Sequence, residues 1–170
     1  ESFLLKVDPD AQYKRELAAL SELIGRFALD QAAPRGLDLL SRYPGRLALL
    51  EQLYPVAKSR QDQALLNALL KQLFALPVAS GQLALLQKLA LDMSDPQQRQ
   101  LEHPAVQLHL LQQLLKAGDE RHALYPWRKL AKRPTPPPAM LGLSLHLGKL
   151  LGQRQDRHSL AEVCAFMRQH

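Results

Sequence analysis

The sequence predicts an all-α protein built of stacked helical hairpins, and three observations carry that prediction. Apolar residues make up 46% of the 170-residue chain, dominated by Leu and Ala, while Phe, Trp and Tyr together reach only 5%. Leu and Ala are strong helix formers, and β-branched residues are scarce, with a single Ile and a single Thr. Two stretches nearly copy one another: LHLLQQLLKAGDERHAL from Leu108 and LHLGKLLGQRQDRHSL from Leu145. The LHL triplets start 37 residues apart (Leu108 to Leu145) and the RH-x-L stretches 36 apart (Arg121 to Arg157), so one residue is gained or lost in the turn. A hairpin of two amphipathic helices has one apolar face too many to stand alone, so repeated text implies a repeated packing unit.

The elements follow in order. Leu17, Leu20, Leu23 and Ile24 recur at three and four residues and give a first helix from about Ala11 to Phe27. A second covers about Gln31–Tyr43, with Pro34 in its first turn, and Tyr43-Pro44-Gly45 stops it. A third runs from Arg46 to Lys58 with a kink expected at Pro55, and a fourth from Arg60 to Leu76, closed by Pro77. The fifth starts at an N-capping Ser80 and continues to Met93. Ser94-Asp95-Pro96 caps a short sixth helix, with Asp95 as N-cap and Pro96 in the first helical position. The seventh covers Pro104–Ala117 and ends at Gly118. The eighth begins near Asp119 and meets Pro126 after two turns, which predicts a bend or break between His122 and Arg128. Residues 132–138, Lys-Arg-Pro-Thr-Pro-Pro-Pro, form a stiff extended connector, and helices nine (Ala139–Leu151) and ten (Gln155–Gln169) finish the chain. The five hairpins span about 11–44, 46–77, 80–103, 104–133 and 139–170 of a single domain.

Charge and cysteine content narrow the function classes. The net charge of +6 is unevenly placed: residues 1–120 hold 13 Lys/Arg against 14 Asp/Glu, and residues 121–170 hold 9 against 2. A basic C-terminal third either forms a solvated face or steers an acidic partner. The lone Cys164 cannot form an internal disulfide, and no apolar run approaches the roughly 18 residues of a membrane span. The chain opens ESFLLKVDPD, with neither Met nor a signal pattern, and reads as a fragment of a larger, cytoplasmic protein.

Catalytic, nucleotide and metal readings fail on residue pattern. Gly142 to Lys149 imitates a phosphate loop, but the spacer is one residue too long, Leu150 follows the Lys, and the stretch is a leucine-rich helix. All six His lie in the last 68 residues, without the convergent spacings that zinc requires. His109 and His146 hold equivalent repeat positions, as do His122 and His158, so repetition explains their recurrence as surface or boundary residues. Cys164 reads as a buried, inert thiol, and His158, six residues away, lies off its helix face. No cofactor, metal or catalytic group is expected. The stretch RHALYPWRKLAKR is the informative surface: Arg121, Arg128, Lys129, Lys132 and Arg133 surround Tyr125 and Trp127. One reading makes Trp127 a packing residue with a basic rim; the other makes the stretch a docking patch for an acidic helix, an anionic membrane surface or nucleic acid.

The second copy resembles a tetratricopeptide repeat, a family with a period of about 34 residues. Leu147-Gly148, Leu151 and Asp156 stand where that family carries its Leu-Gly pair, its aromatic and its turn Asp. In the first copy Leu110, Leu114, Gly118-Asp119 and Ala123 fit, with Trp127 at the large residue of the second helix; near the N-terminus Ala32, Leu39 and Pro44 match. Leu111, Leu160 and Pro126 depart from the pattern, and the middle hairpins barely match. The resemblance implies a right-handed α-solenoid in which Gly and Ala let paired helices approach closely and the first helix of each hairpin lines a concave groove that receives a peptide. By position that groove takes Leu108, Gln112, Leu115 and Lys116 from one hairpin and Leu145, Lys149 and Gln153 from the next. The family's carboxylate clamp needs Asn at set positions, and with Asn67 as the only Asn it is not expected. The segments IGRF, RYP and LLEQLYPVAK are also similar to helical tails of some bacterial membrane proteins, rhomboid-type proteases among them. The resulting expectation is a non-catalytic interaction or scaffold module of a bacterial-type protein, binding a protein or peptide partner. The alternatives are a nucleic-acid-binding repeat and a regulatory appendage of a membrane-bound enzyme.

Overall fold

Leucines at three- and four-residue spacing coil the backbone almost everywhere the pattern predicts. The computed structural model describes residues 9–77 and 81–170, and among these it holds nine α-helices and no strand. They are α1 (Pro9–Gly25), α2 (Leu29–Arg42), α3 (Leu47–Arg60) and α4 (Gln63–Ala75), then α5 (Leu83–Asp92) and α6 (Pro104–Lys116). The last three are α7 (Glu120–Ala131), α8 (Met140–Gln153) and α9 (Arg157–Gln169).

The predicted sixth helix does not form. Asp95 does accept a bond from the Gln97 N–H at 2.9 Å, but only a turn and a single 3-10 turn, Arg99–Leu101, follow it. Between Ser94 and His103 the one apolar residue is Leu101, 1% exposed, so further helical turns would have no face to bury. The expected 80–103 hairpin is therefore the single helix α5. Four hairpins remain: α1–α2, α3–α4, α6–α7 and α8–α9. The predicted cap at Ser80 lies outside the described residues; α5 follows Gln82, whose fully buried side chain donates to the Pro77 carbonyl at 2.7 Å.

All four hairpins turn in the same way. In each, a backbone N–H reaches back five residues: Ala28 to Leu23 O (2.9 Å), Asp62 to Ala57 O, Asp119 to Leu114 O and Asp156 to Leu151 O (3.0 Å each). The residue before that N–H is left-handed, with φ of 59° at Phe27, 50° at Gln61, 75° at Gly118 and 59° at Gln155. This is the Schellman closure, which satisfies carbonyls left over at a helix end. The next residue immediately caps the second helix. Asp62, Asp119 and Asp156 accept from the N–H three residues on at 3.0–3.1 Å, whereas the methyl of Ala28 offers no acceptor. Arg60-Gln61-Asp62 and Arg154-Gln155-Asp156 are the same tripeptide, so the repetition extends into the N-terminal half, beyond the two copies evident from the leucine ladder.

The prolines bend fewer rules than their positions suggest. Pro34 sits in the second turn of α2, because the helix starts at Leu29, and α3 runs through Pro55. Of the bend or break expected at Pro126, the break is absent, since α7 is continuous through it. Each proline leaves a carbonyl four residues back without its helical donor, at a cost of about 3 kcal/mol. Around Pro126 that cost is offset by Leu124, Trp127 and Leu130, each worth about 1.5–3 kcal/mol when buried and each at most 6% exposed.

Contacts divide the chain into two compact units, one ending at Leu76 and the other beginning at Pro77. In the first, α2 packs on α1, α3 and α4, and α3 packs on α1 and α4, over fully buried Leu20, Leu39, Leu49, Leu53, Leu69 and Leu73. A Cβ on Gly36 of α2 would overlap the Leu53 side chain, so this glycine sets the approach of α2 to α3. A Cβ on Gly148, the small residue singled out by the repeat pattern, would meet Leu160 and Val163 at ordinary distances of 3.6 and 3.8 Å. The Tyr43-Pro44-Gly45 stop forms as predicted, and Gln72 of α4 secures it, donating to Leu40 O (2.8 Å) and accepting from the Gly45 N–H (3.1 Å).

In the second unit α5 packs on α6 and α7, α8 packs on α6 and α7, and α8 pairs with α9. Trp127 ties three of these helices together. It is 2% exposed, donates from Nε1 to Ser144 Oγ of α8 at 2.9 Å, and meets the Phe166 ring of α9 edge-on, 5.7 Å between centroids.

Candidate functional site

The groove residues inferred from the repeat pattern separate into usable and buried positions. On α8, Leu145 (52% exposed), Lys149 and Gln153 all face solvent, and Leu141, 45% exposed, extends the stripe by one turn. Four-residue spacing keeps these side chains on one face of the helix. Leu141 was not among the residues inferred from sequence; its signal was the same four-residue step taken backwards from Leu145. On α6, which packs against α8, Leu108 and Gln112 are half-buried and Lys116 is exposed. Leu115 is a core residue, 2% exposed, and cannot meet a ligand there.

The basic stretch also separates. Trp127 is a packing residue, as the first of its two readings held. Arg128 is held by Glu162 of α9, with Nε 3.0 Å from Oε2 and 3.3 Å from Oε1, and Nη2 3.3 Å from Oε1. Arg133 reaches back to the start of α6, donating to Glu102 O (2.6 Å) and to Oε1 of the buried Gln107 (3.0 Å). Arg121 is exposed, and neither Lys129 nor Lys132 has a salt-bridge partner among the described residues. Ser94, Tyr125, Arg128, Lys129 and Lys132 line a cleft of about 320 Å³. A second cleft of about 220 Å³ lies on the α9 side of Arg128 and Lys132, floored by Trp127 and Phe166. Ser94 and Glu162 come from other elements, so no local sequence signal could have joined them to this stretch.

Charge elsewhere is mostly structural. Burial alone would raise the Asp119 carboxyl, but hydrogen bonds from Gln87 (2.6 Å) and from the side chain and backbone of His122 outweigh it and hold the pKa below the usual Asp value. The Asp156 carboxyl is also lowered, chiefly by the Ser159 N–H that it caps. His122 is thereby tied to the turn, while the repeat partners His109 and His146 are both exposed. Cys164 is half-buried, more open than the buried thiol expected. Gly142–Lys149 lies wholly inside α8, and from Leu143 onward its backbone N–H groups point back along the helix instead of forming a phosphate-cradling loop. Among the described residues no group of three or more His, Cys, Asp or Glu converges, and no helix is long and apolar enough to cross a membrane.

No protein-family model, curated protein or solved structure matches the chain.

Proposed function

We propose that the chain is a non-catalytic interaction module, a tetratricopeptide-like α-solenoid whose first-of-pair helices receive an amphipathic acidic peptide. The observation that carries the reading is the stripe Leu141, Leu145, Lys149 and Gln153, solvent-facing along α8. Leu108, Gln112 and Lys116 on α6 stand 37 residues before Leu145, Lys149 and Gln153, so two neighbouring helices offer leucine at one end and a cation further along. A segment with leucine-like residues followed by carboxylates complements that order. Support for the solenoid comes from the shared hairpin turn, from the 34 residues between Phe27 and Gln61, and from packing of helices on their first and second neighbours within each unit.

Selection from a random dodecapeptide display library tests the reading. Enriched peptides should carry leucine-type residues three or four apart followed by Asp or Glu. Leu145→Glu should weaken them about tenfold or more, the scale of an interface hot spot. No enrichment, or enriched peptides that bind the variant equally well, would sink the proposal. Tight binding to mixed-sequence DNA or RNA near about 150 mM salt, steeply weakened by more salt, would favour the nucleic-acid reading instead. Against that reading, Arg128 and Arg133 are already engaged inside the fold, which leaves few cations for a continuous phosphate track.

A further inference from the structure

The cleft beside α7 has features that the peptide reading does not use. Arg128, Lys129 and Lys132 line it, and among its described lining residues there is no carboxylate. Glu162 neutralises Arg128 and fixes its guanidinium through two nitrogens, so the side chain is ordered before any ligand arrives. Lys129 and Lys132 then remain as two uncompensated charges over a partly apolar wall that includes Tyr125. The Ser94 hydroxyl already donates to Leu91 O at 2.7 Å, so recognition falls to the cations. We propose that this cleft binds a phosphate monoester. Two free ammonium groups match the charge of about −1.5 to −2 that a phosphate monoester carries near neutral pH, whereas a single carboxylate would leave one lysine unpaired. A volume of about 320 Å³ is of the size that holds a phosphorylated side chain or a small sugar phosphate.

Cations in the last turn of a helix also offset its dipole. A role confined to that effect predicts no saturable ligand. The two are separated by titrating the isotope-labelled protein at constant ionic strength, following backbone amide signals. The probes are inorganic phosphate, a phosphoserine tripeptide and glucose 6-phosphate. The expected result is saturable shifts at Ser94, Tyr125, Lys129 and Lys132, with a dissociation constant on the order of 1 mM for inorganic phosphate. The double variant Lys129→Gln/Lys132→Gln should lose at least about tenfold in affinity while its melting temperature moves by only a few degrees. Lys71→Gln, which removes an exposed lysine of α4 that is not among the cleft's described lining residues, should bind phosphate unchanged. Tighter binding of the phosphopeptide than of glucose 6-phosphate assigns the group to a modified protein, and the reverse order assigns it to a free metabolite. Shifts that stay linear and match those caused by chloride, or equal saturable binding by the double lysine variant, overturn the proposal.

Discussion

Phe27 occupies the left-handed position of the first hairpin turn, at φ 59° and 85% exposed, where the equivalent turn of α6–α7 has Gly118. Replacing it with glycine should stabilise the fold. A non-glycine residue in the left-handed region costs roughly 1–2 kcal/mol, and glycine gives back about 0.5–1 kcal/mol through the entropy of the unfolded chain. Little burial is lost, since so much of the ring already faces water. The balance for Phe27→Gly is a gain of about 0.5–1 kcal/mol, or roughly 2–8 °C for a unit of this size. Urea and thermal unfolding followed by circular dichroism would measure it. Gln61→Gly and Gln155→Gly should shift the same way, and Gly118→Ala should lose about 1 kcal/mol or more, because its φ of 75° then carries the strain. Phe27→Gly and Gln61→Gly both neutral, with Gly118→Ala harmless, would refute the claim that the four turns share one strained geometry.

Three further outcomes follow from the packing and charge. Gly36→Ala should destabilise by about 1–3 kcal/mol, since the added methyl overlaps fully buried Leu53, whereas Gly148→Ala should be neutral or stabilising; paired urea melts check both. Trp127→Ala should cost about 3–5 kcal/mol and leave Ser144 Oγ without its donor, read as a lower denaturation midpoint. Asp119 has a folded pKa below its ordinary 3.8, so its contribution is complete above that value and is lost as pH falls through the folded pKa. An acid titration of stability should therefore fall more steeply below about pH 4 in the native protein than in Asp119→Ala.

Helices were legible where leucine recurs at three and four residues, because that period alone decides which face can be buried. The sixth helix was misread because capping residues mark where a helix can start; they supply no apolar face to hold it, and Leu101 is alone in that segment. At Pro126 the local rule allowed a break, and α7 instead runs on unbroken. The local rule forecasts a lost donor and a clash, and it has no access to Trp127, Phe166 and Ser144 meeting from three helices. Candidate surface residues were legible as positions in a repeat, which is why Leu145, Lys149 and Gln153 share a face. Their exposure was not legible, and Leu115, equally periodic, lies in the core.

By itself the sequence determined the all-α class, the helical character of the Gly142–Lys149 stretch, and the concentration of positive charge after residue 120. These depend on composition and on contacts between near neighbours along the chain. Only the tertiary structure decided which cations stay available. Arg128 and Arg133 are engaged by Glu162, Glu102 and Gln107, residues 26 to 34 positions away, while Lys129 and Lys132, interleaved with them in the chain, are left at the cleft. A side chain's partner is fixed by which helix arrives beside it, and helix packing brings together residues whose separation along the chain carries no signal of their meeting.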